Sequence, residues 1–272
     1  MSDDAYFVHL GSGESDGTER FLATDRTVSL WAPTMQHGAP PSALLVRALE
    51  HCAPREGTRL TRVVVEILGP VPIAELEVRA WVQRPGRRVE LVSAELSAAM
   101  ENGERRVVAS ATGWRMATAD STAVHHAADP VLPPITDGRE GKMGGMWGVG
   151  YLDTLDWRWI DEIGGEGPGR VWVRPKPDLV RGESLTPLER LFSVADIANG
   201  VGSKIDPEKW TFLNTDLTVH VFRVPDGEWI GVGAETSIGP DGVGMCAGVL
   251  YDENGPVGRI AQTVQIRERA RT

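Results

Sequence analysis

Most of this chain is patterned with a period of two. AELEVRAWVQR (74–84) alternates apolar and polar residues, TRVVVEILG (61–69) is rich in β-branched residues, and RRVELVSAELSAAM (87–100) alternates less cleanly. These patterns predict strands. Glu101-Asn102-Gly103 then predicts a hairpin turn into a further strand, ERRVVASATGWRMA. Two stretches break the period. HGAPPSALLVRALEHCAP (37–54) predicts a helix, with Pro40 and Pro41 suited to its first turn and Pro54 beyond its end. PLERLFSVADIANG (187–200) predicts a second helix, with Leu188, Leu191, Phe192, Ala195 and Asn199 on one face and Asp196 at its edge. Upstream of the first helix, FLATDRTVSLWAP predicts one or two opening strands.

The second half repeats the order of the first. TLDWRWI and GRVWVRP predict strands before the second helix. FLNTDLTVHVFR, EWIGVGAETSIG and GMCAGVLYDE predict strands after it, and a second turn, Glu253-Asn254-Gly255, leads into PVGRIAQTVQIRER. Laying the two turns over one another sets Ala109 on Ala261, Gly113 on Gln265 and Arg115 on Arg267, which reads as an internal duplication. The expected organisation is an N-terminal unit over 1–118, a linker over 119–150 rich in Ala, Pro, Gly and Thr, and a C-terminal unit over 151–272. A helix with a mostly antiparallel sheet, occurring twice, is an α+β arrangement in which two sheets can join edge to edge.

Composition narrows the function. A net charge of −10 offers no basic stripe and sets nucleic acid aside. The two cysteines, Cys52 and Cys246, make no disulfide framework and read as reduced core residues. MSDDAYFVHLGSGE lacks the basic and apolar regions of a signal peptide, and no run approaches a membrane span, so the expected location is the cytoplasm. His125-His126 lacks matching metal ligands nearby, and GSGESDG (11–17) lacks the strand–helix context of a phosphate loop. Trp147, Trp157, Trp159 and Trp172 read as core or interface around the junction of the halves. No GxSxG pattern is present, which argues against a covalent serine route.

HGAPPSALLVRALE, SVAD, NTDLTVHVFR and QTVQIRER together resemble the acyl-CoA thioesterases of the double hotdog fold, in particular the TesB-like group. The resemblance implies two helix-wrapped antiparallel sheets joined into one, a role in fatty-acid metabolism, no cofactor or metal, and a homo-oligomer acting on acyl-CoA. It also implies a water-holding trio: an Asp on the second helix, a hydroxyl or amide residue at the start of the next strand, and a Gln on the last strand. Asp196 matches the first and Gln265 the third. Asn214 stands where the family carries Thr, a departure. Asp196 would act as base or water-holder, with Asn214 and Gln265 orienting the water. His37 and Gly38, at the start of the first helix, would face the substrate, and Arg223 or Arg267 would meet CoA phosphates.

Each assignment has a plainer reading. An Asp at a helix edge is usually solvated. Gln265 shares a strand face with Ala261 and Thr263, opposite Ile260, Gln262, Val264 and Ile266, and polar strand residues usually face water. Asn214 suits a turn. The competing function is a non-catalytic acyl-CoA or fatty-acyl binding protein of the same fold, favoured by Asn214. A hotdog hydratase ranks behind both, because SVADIANG carries no histidine for a His–Asp pairing.

Overall fold

A computed structural model describes residues 4–13, 17–100, 103–143 and 148–269. Its strands are β1 (Ala5–Ser12), β2 (Thr18–Ala23), β3 (Thr58–Ile67), β4 (Glu75–Arg84), β5 (Val89–Ala99), β6 (Arg105–Ala117), β7 (Arg139–Gly141), β8 (Leu155–Trp159), β9 (Gly169–Pro175), β10 (Asp178–Val180), β11 (Trp210–Asn214), β12 (Asp216–Val221), β13 (Ile230–Ile238), β14 (Val243–Asp252) and β15 (Gly255–Glu268). The helices are α1 (Ala39–His51), α2 (Pro187–Ala195) and the single turn α3 (Ala198–Val201). The predicted strands and both predicted helices are present. Glu101, Asn102 and Trp147 lie outside the described residues, as does part of 11–17.

All the strands belong to one sheet, ordered β10-β1-β2-β4-β5-β6-β3-β12-β15-β14-β13-β9-β8-β7, with β11 also paired to β15. The order is a palindrome about the β3–β12 seam: β4, β5 and β6 on one side answer to β13, β14 and β15 on the other. At the seam the strands run antiparallel, Val64 opposite Thr218. α1 lies against β3 to β6, α2 and α3 lie against β9 and β13 to β15, and the two long helices touch. This is the double hotdog arrangement, α+β with two helix-wrapped sheets made continuous.

The strand irregularities fix how the halves correspond. In the β5–β6 pair the register shifts between Leu96 and Ser97, and in the β14–β15 pair between Leu250 and Tyr251. Each bulge places one extra residue on its strand. Matching the bulges sets Ala109 on Gly258, Gly113 on Gln262 and Arg115 on Val264. The alignment through the Glu-Asn-Gly turns is therefore displaced, because the two hairpins have loops of different length. A second matching irregularity lies next to the seam. β3 has an extra residue between Leu60 and Arg62 where it pairs with β6. The strand expected over 212–223 is interrupted in the same way at Thr215, between Asn214 opposite Val264 and Thr218 opposite Ala261. The extra residue reverses the alternation of faces, so Phe212 and Asn214 point inward before the break and Leu217, Val219 and Val221 after it.

Helix ends follow their chemistry. Thr186 caps α2 through a reciprocal capping box with Glu189. Pro40 and Pro41 occupy the first turn of α1, where missing N–H groups cost nothing. Nearly all of α1 is buried, from Ala39 to Leu49. The stretch expected as a linker is docked onto the second half: β7 pairs with β8, Leu132 packs with Trp172 and Tyr251, and Asp129 binds Arg259. Trp157 is buried, with Trp159 stacked on it at 5.1 Å. Cys246 is buried, whereas Cys52 is partly exposed just past α1; both are free thiols.

Candidate active site

Asp196 is the residue at which α2 stops. There the helix tightens, Ile197 N–H bonding back to Val194 O, and the chain re-enters helix at α3. The carboxylate is left facing inward rather than into solvent, with the residue only 5% exposed. An unpaired carboxylate at that depth would cost several kcal/mol. Two side-chain amides compensate: Asn214 Nδ2 donates to Oδ1 at 2.7 Å and Gln262 Nε2 donates to the same oxygen at 3.0 Å. Asn214 is fixed by the end of β11, and its amide also reaches Asp216 O at 3.2 Å. Gln262 is fixed by β15 and is almost wholly buried. Asn199 ties α3 to β11 by donating to Phe212 O.

The other carboxylate oxygen faces the first half. Oδ2 lies 3.3 Å from His37 Nδ1. It also presses on Gly38, where a Cβ would stand 2.6 Å from it, so no side chain fits there. His37 stacks on Tyr151 at 4.3 Å, and its Nδ1 accepts the Ala39 N–H at 3.1 Å. Burial pushes the imidazole below the usual histidine range, and the Asp196 charge only partly opposes it. A neutral ring with Nδ1 as acceptor carries its proton on Nε2. Tyr151 is held far above the ordinary phenol range by burial, then by Tyr6 and Asp196, so it stays protonated and donates to Ser193 O.

The start of α1 is short of donors. Pro40 and Pro41 have none, Ala39 N–H is taken by His37, and Ser42 N–H bonds Gly38 O. Among the described residues, nothing accepts the Gly38 N–H. A cavity of about 250 Å³ opens over this cluster, with His37, Gly38, Asp196 and Asn214 in its wall and Trp31, Trp157 and Phe212 among its apolar lining. Both halves of the chain contribute to it.

The structure therefore brings together four of the six expected site residues: Asp196, Asn214, His37 and Gly38. Gln265 is not with them. It is exposed on the outer face of β15, opposite Leu213 and Val243, because Val264 and Ile266 point inward on either side of it. Gln262, three residues earlier, takes the inward position. Its signal was available, as the one polar residue on the otherwise apolar face formed with Ile260, Val264 and Ile266. Arg223 is also elsewhere. Its guanidinium is held by both oxygens of buried Asp252, at 2.5 and 2.7 Å, and by the carbonyls of Gly255 and Pro256, bracing the β14–β15 turn. Arg267 bonds Gly242 O and Ile266 O. Among the described residues no cluster of His, Cys, Asp and Glu is arranged to hold a metal ion, and no helix is long and apolar enough to cross a membrane.

Two helix-wrapped sheets and a buried carboxylate at their junction define a double hotdog protein. Comparison with known proteins gives its family. Residues 27–116 match the acyl-CoA thioesterase N-terminal domain and residues 127–266 the acyl-CoA thioesterase C-terminal domain. The chain belongs to the acyl-CoA thioesterase family. Among solved structures it is similar to a hot dog fold protein of unknown function from Alicyclobacillus acidocaldarius, at 17% identity and TM-score 0.74 over 99% of this chain and 98% of that one. It is also similar to the acyl-CoA thioesterase II TesB2 of Mycobacterium marinum, at 13% identity and TM-score 0.65 over 96% of each chain. A tesB protein of Mycobacterium avium subsp. paratuberculosis aligns at 12% identity and TM-score 0.65, over 94% and 95%. Likeness at these identities shows the fold. No curated protein matches the sequence.

Proposed function

We propose that this protein hydrolyses an acyl-CoA to CoA and a carboxylic acid through a water activated by Asp196. The observation that carries the proposal is the division of labour between the carboxylate oxygens. Oδ1 is occupied by the Asn214 and Gln262 amides, so Oδ2, facing His37, Gly38 and the cavity, is the atom left to take a proton. The water oxygen attacks the thioester carbonyl carbon as Oδ2 removes its proton. Negative charge develops on the carbonyl oxygen, toward which the free Gly38 N–H and the His37 Nε2–H can donate. Collapse breaks the C–S bond, and the proton held by Asp196 passes to the departing thiolate.

His37 Nδ1 gives its one lone pair to the Ala39 N–H, which fixes the ring at the start of α1 and leaves Nε2–H as the group it offers to the carbonyl oxygen. Cytoplasmic residence, a place in fatty-acid metabolism and homo-oligomeric assembly belong to the same proposal.

A second reading, acyl binding without turnover, is favoured by one contact. Asn214 directs its N–H to the carboxylate instead of leaving a hydroxyl for the water. Thiol release from short-, medium- and long-chain acyl-CoAs decides between them. Stoichiometric release over many turnovers is expected. Binding of acyl-CoA with no release on any member would establish the second reading.

A further inference from the structure

Trp31 belongs to the first half of the chain, lines the cavity, and is itself partly exposed. The residue therefore stands in the cavity wall and within reach of solvent at once. The ring is braced on two sides. Phe212, also in the cavity wall, meets it edge-on at 5.0 Å, and the Arg269 guanidinium lies over it at 5.3 Å. Arg269 is in turn anchored to the loop before β11, its Nε bonding Pro207 O and its N–H bonding Lys209 O. Phe212 lies two residues from Asn214 on β11 and points to the same side, so the stack stands beyond the carboxylate along that strand.

We infer that Trp31, clamped between Phe212 and Arg269, closes the acyl end of the cavity and sets the longest acyl chain the protein accepts. The inference rests on the thioesterase reading for its substrate, but the closure itself concerns only acyl binding. Substrate class follows: acyl groups that end at the indole are taken, and longer ones are refused because their terminal methylenes have no space. Removing the indole joins the cavity to the surface and lets a longer chain run out past β11. Arg269 acts as a positioning residue. Replacing it frees the ring to swing without removing it, so its effect has the same direction and a smaller size.

The test uses the full chain and two assays on wild type, Trp31→Ala, Trp31→Phe and Arg269→Ala. The first is displacement of a fluorescent fatty acid by free fatty acids of graded length, which needs no catalysis. The second is thiol release from the matching acyl-CoAs. Wild type should bind with rising affinity up to a cutoff length and then fall away. Trp31→Ala should move the cutoff to longer chains, gaining about fourfold per added methylene that finds an apolar contact. Trp31→Phe and Arg269→Ala should move it less, and these two cover the case in which Trp31→Ala does not fold. If thiol release is absent throughout while the binding cutoff still moves, the closure stands and hydrolysis fails. An unchanged cutoff in the folded variants overturns the inference. So does an equal loss of affinity at every chain length, which would place Trp31 at the entrance, and so does failure of wild type to bind any fatty acid.

Discussion

The two halves share a fold down to the position of their bulges and differ in what they bury beneath it. In the second half the space under the sheet holds Asp196, Asn214 and Gln262. In the first half the registers of Asn214 and Gln262 are occupied by Leu60 and Gly113. A Cβ on Gly113 would stand 2.7 Å from Leu60 Cδ2 and 3.2 Å from Leu49 Cδ1, so two leucines fill what is a polar site across the seam. The helices differ accordingly. α2 ends at Asp196, whereas α1 runs on to His51 and has its terminal carbonyls capped by a side chain. Arg115, in the register of Val264, donates to Leu49 O, Cys52 O, Ala53 O and Glu90 Oε1 from a fully buried position. One copy of the unit has its buried polar groups at a helix end for stability. The other turns a carboxylate into a cavity, to which the first copy contributes wall residues, the start of α1 and Trp31 among them, but no carboxylate.

That contrast can be broken most forcefully at Arg115. Arg115→Met leaves three carbonyls at and just past the end of α1 without their donor and Glu90 with only Arg55, and is expected to cost about 3–5 kcal/mol of stability, read by urea denaturation. Turnover per folded molecule should be unchanged. The second half should behave in the opposite sense. Gln262→Leu removes a donor from Asp196 and is expected to reduce kcat by about tenfold to a hundredfold. Gln265→Leu, on the outer face, should leave kcat within error, and equal losses in the two variants would undo the assignment. Gly113→Ala tests whether the leucines really occupy the first half's site. The added methyl should cost about 1–3 kcal/mol through overpacking, seen as a lower Tm.

The smallest effect concerns Glu189 at the start of α2. Burial, partly offset by the Thr186 N–H, pushes its carboxyl from 4.5 up to about 7. A folded value above the unfolded one means that the stability it contributes is present in acid and is lost as pH rises through 7. Glu189→Gln keeps the acceptor for Thr186 N–H and cannot ionise. It should match wild type near pH 4 and exceed it by about 1–2 kcal/mol above pH 7, measured by denaturation at the two pH values.

Periodicity made the elements legible. The strands from β3 to β6 and from β13 to β15 lie close to where alternation put them, because each has one face on a helix and one facing out. Asp196, Asn214, His37 and Gly38 were legible through the resemblance of HGAPPSALLVRALE, SVAD and NTDLTVHVFR to the thioesterases, whereas helix-edge and turn chemistry alone gave plainer readings. The same resemblance misplaced Gln265. Short motif similarity located the right strand, but only the alternation of β15 says which glutamine looks inward, and that alternation favoured Gln262. The break at Thr215 left no mark in composition, since an extra residue in a strand is a property of the pair and not of either sequence. Arg223 read as a free cation because its partner, Asp252, lies on a different strand and meets it only through the β14–β15 turn.

The central claim is that one buried carboxylate in the second half activates the water. Asp196→Asn keeps the shape of the group and removes its capacity to take a proton. Thiol release with enzyme in excess over acyl-CoA, paired with acyl-CoA affinity by calorimetry, measures the consequence directly. The expected result is a rate lower by a factor of about a hundred to ten thousand with affinity retained. A folded variant that releases thiol at close to the wild-type rate would contradict the account.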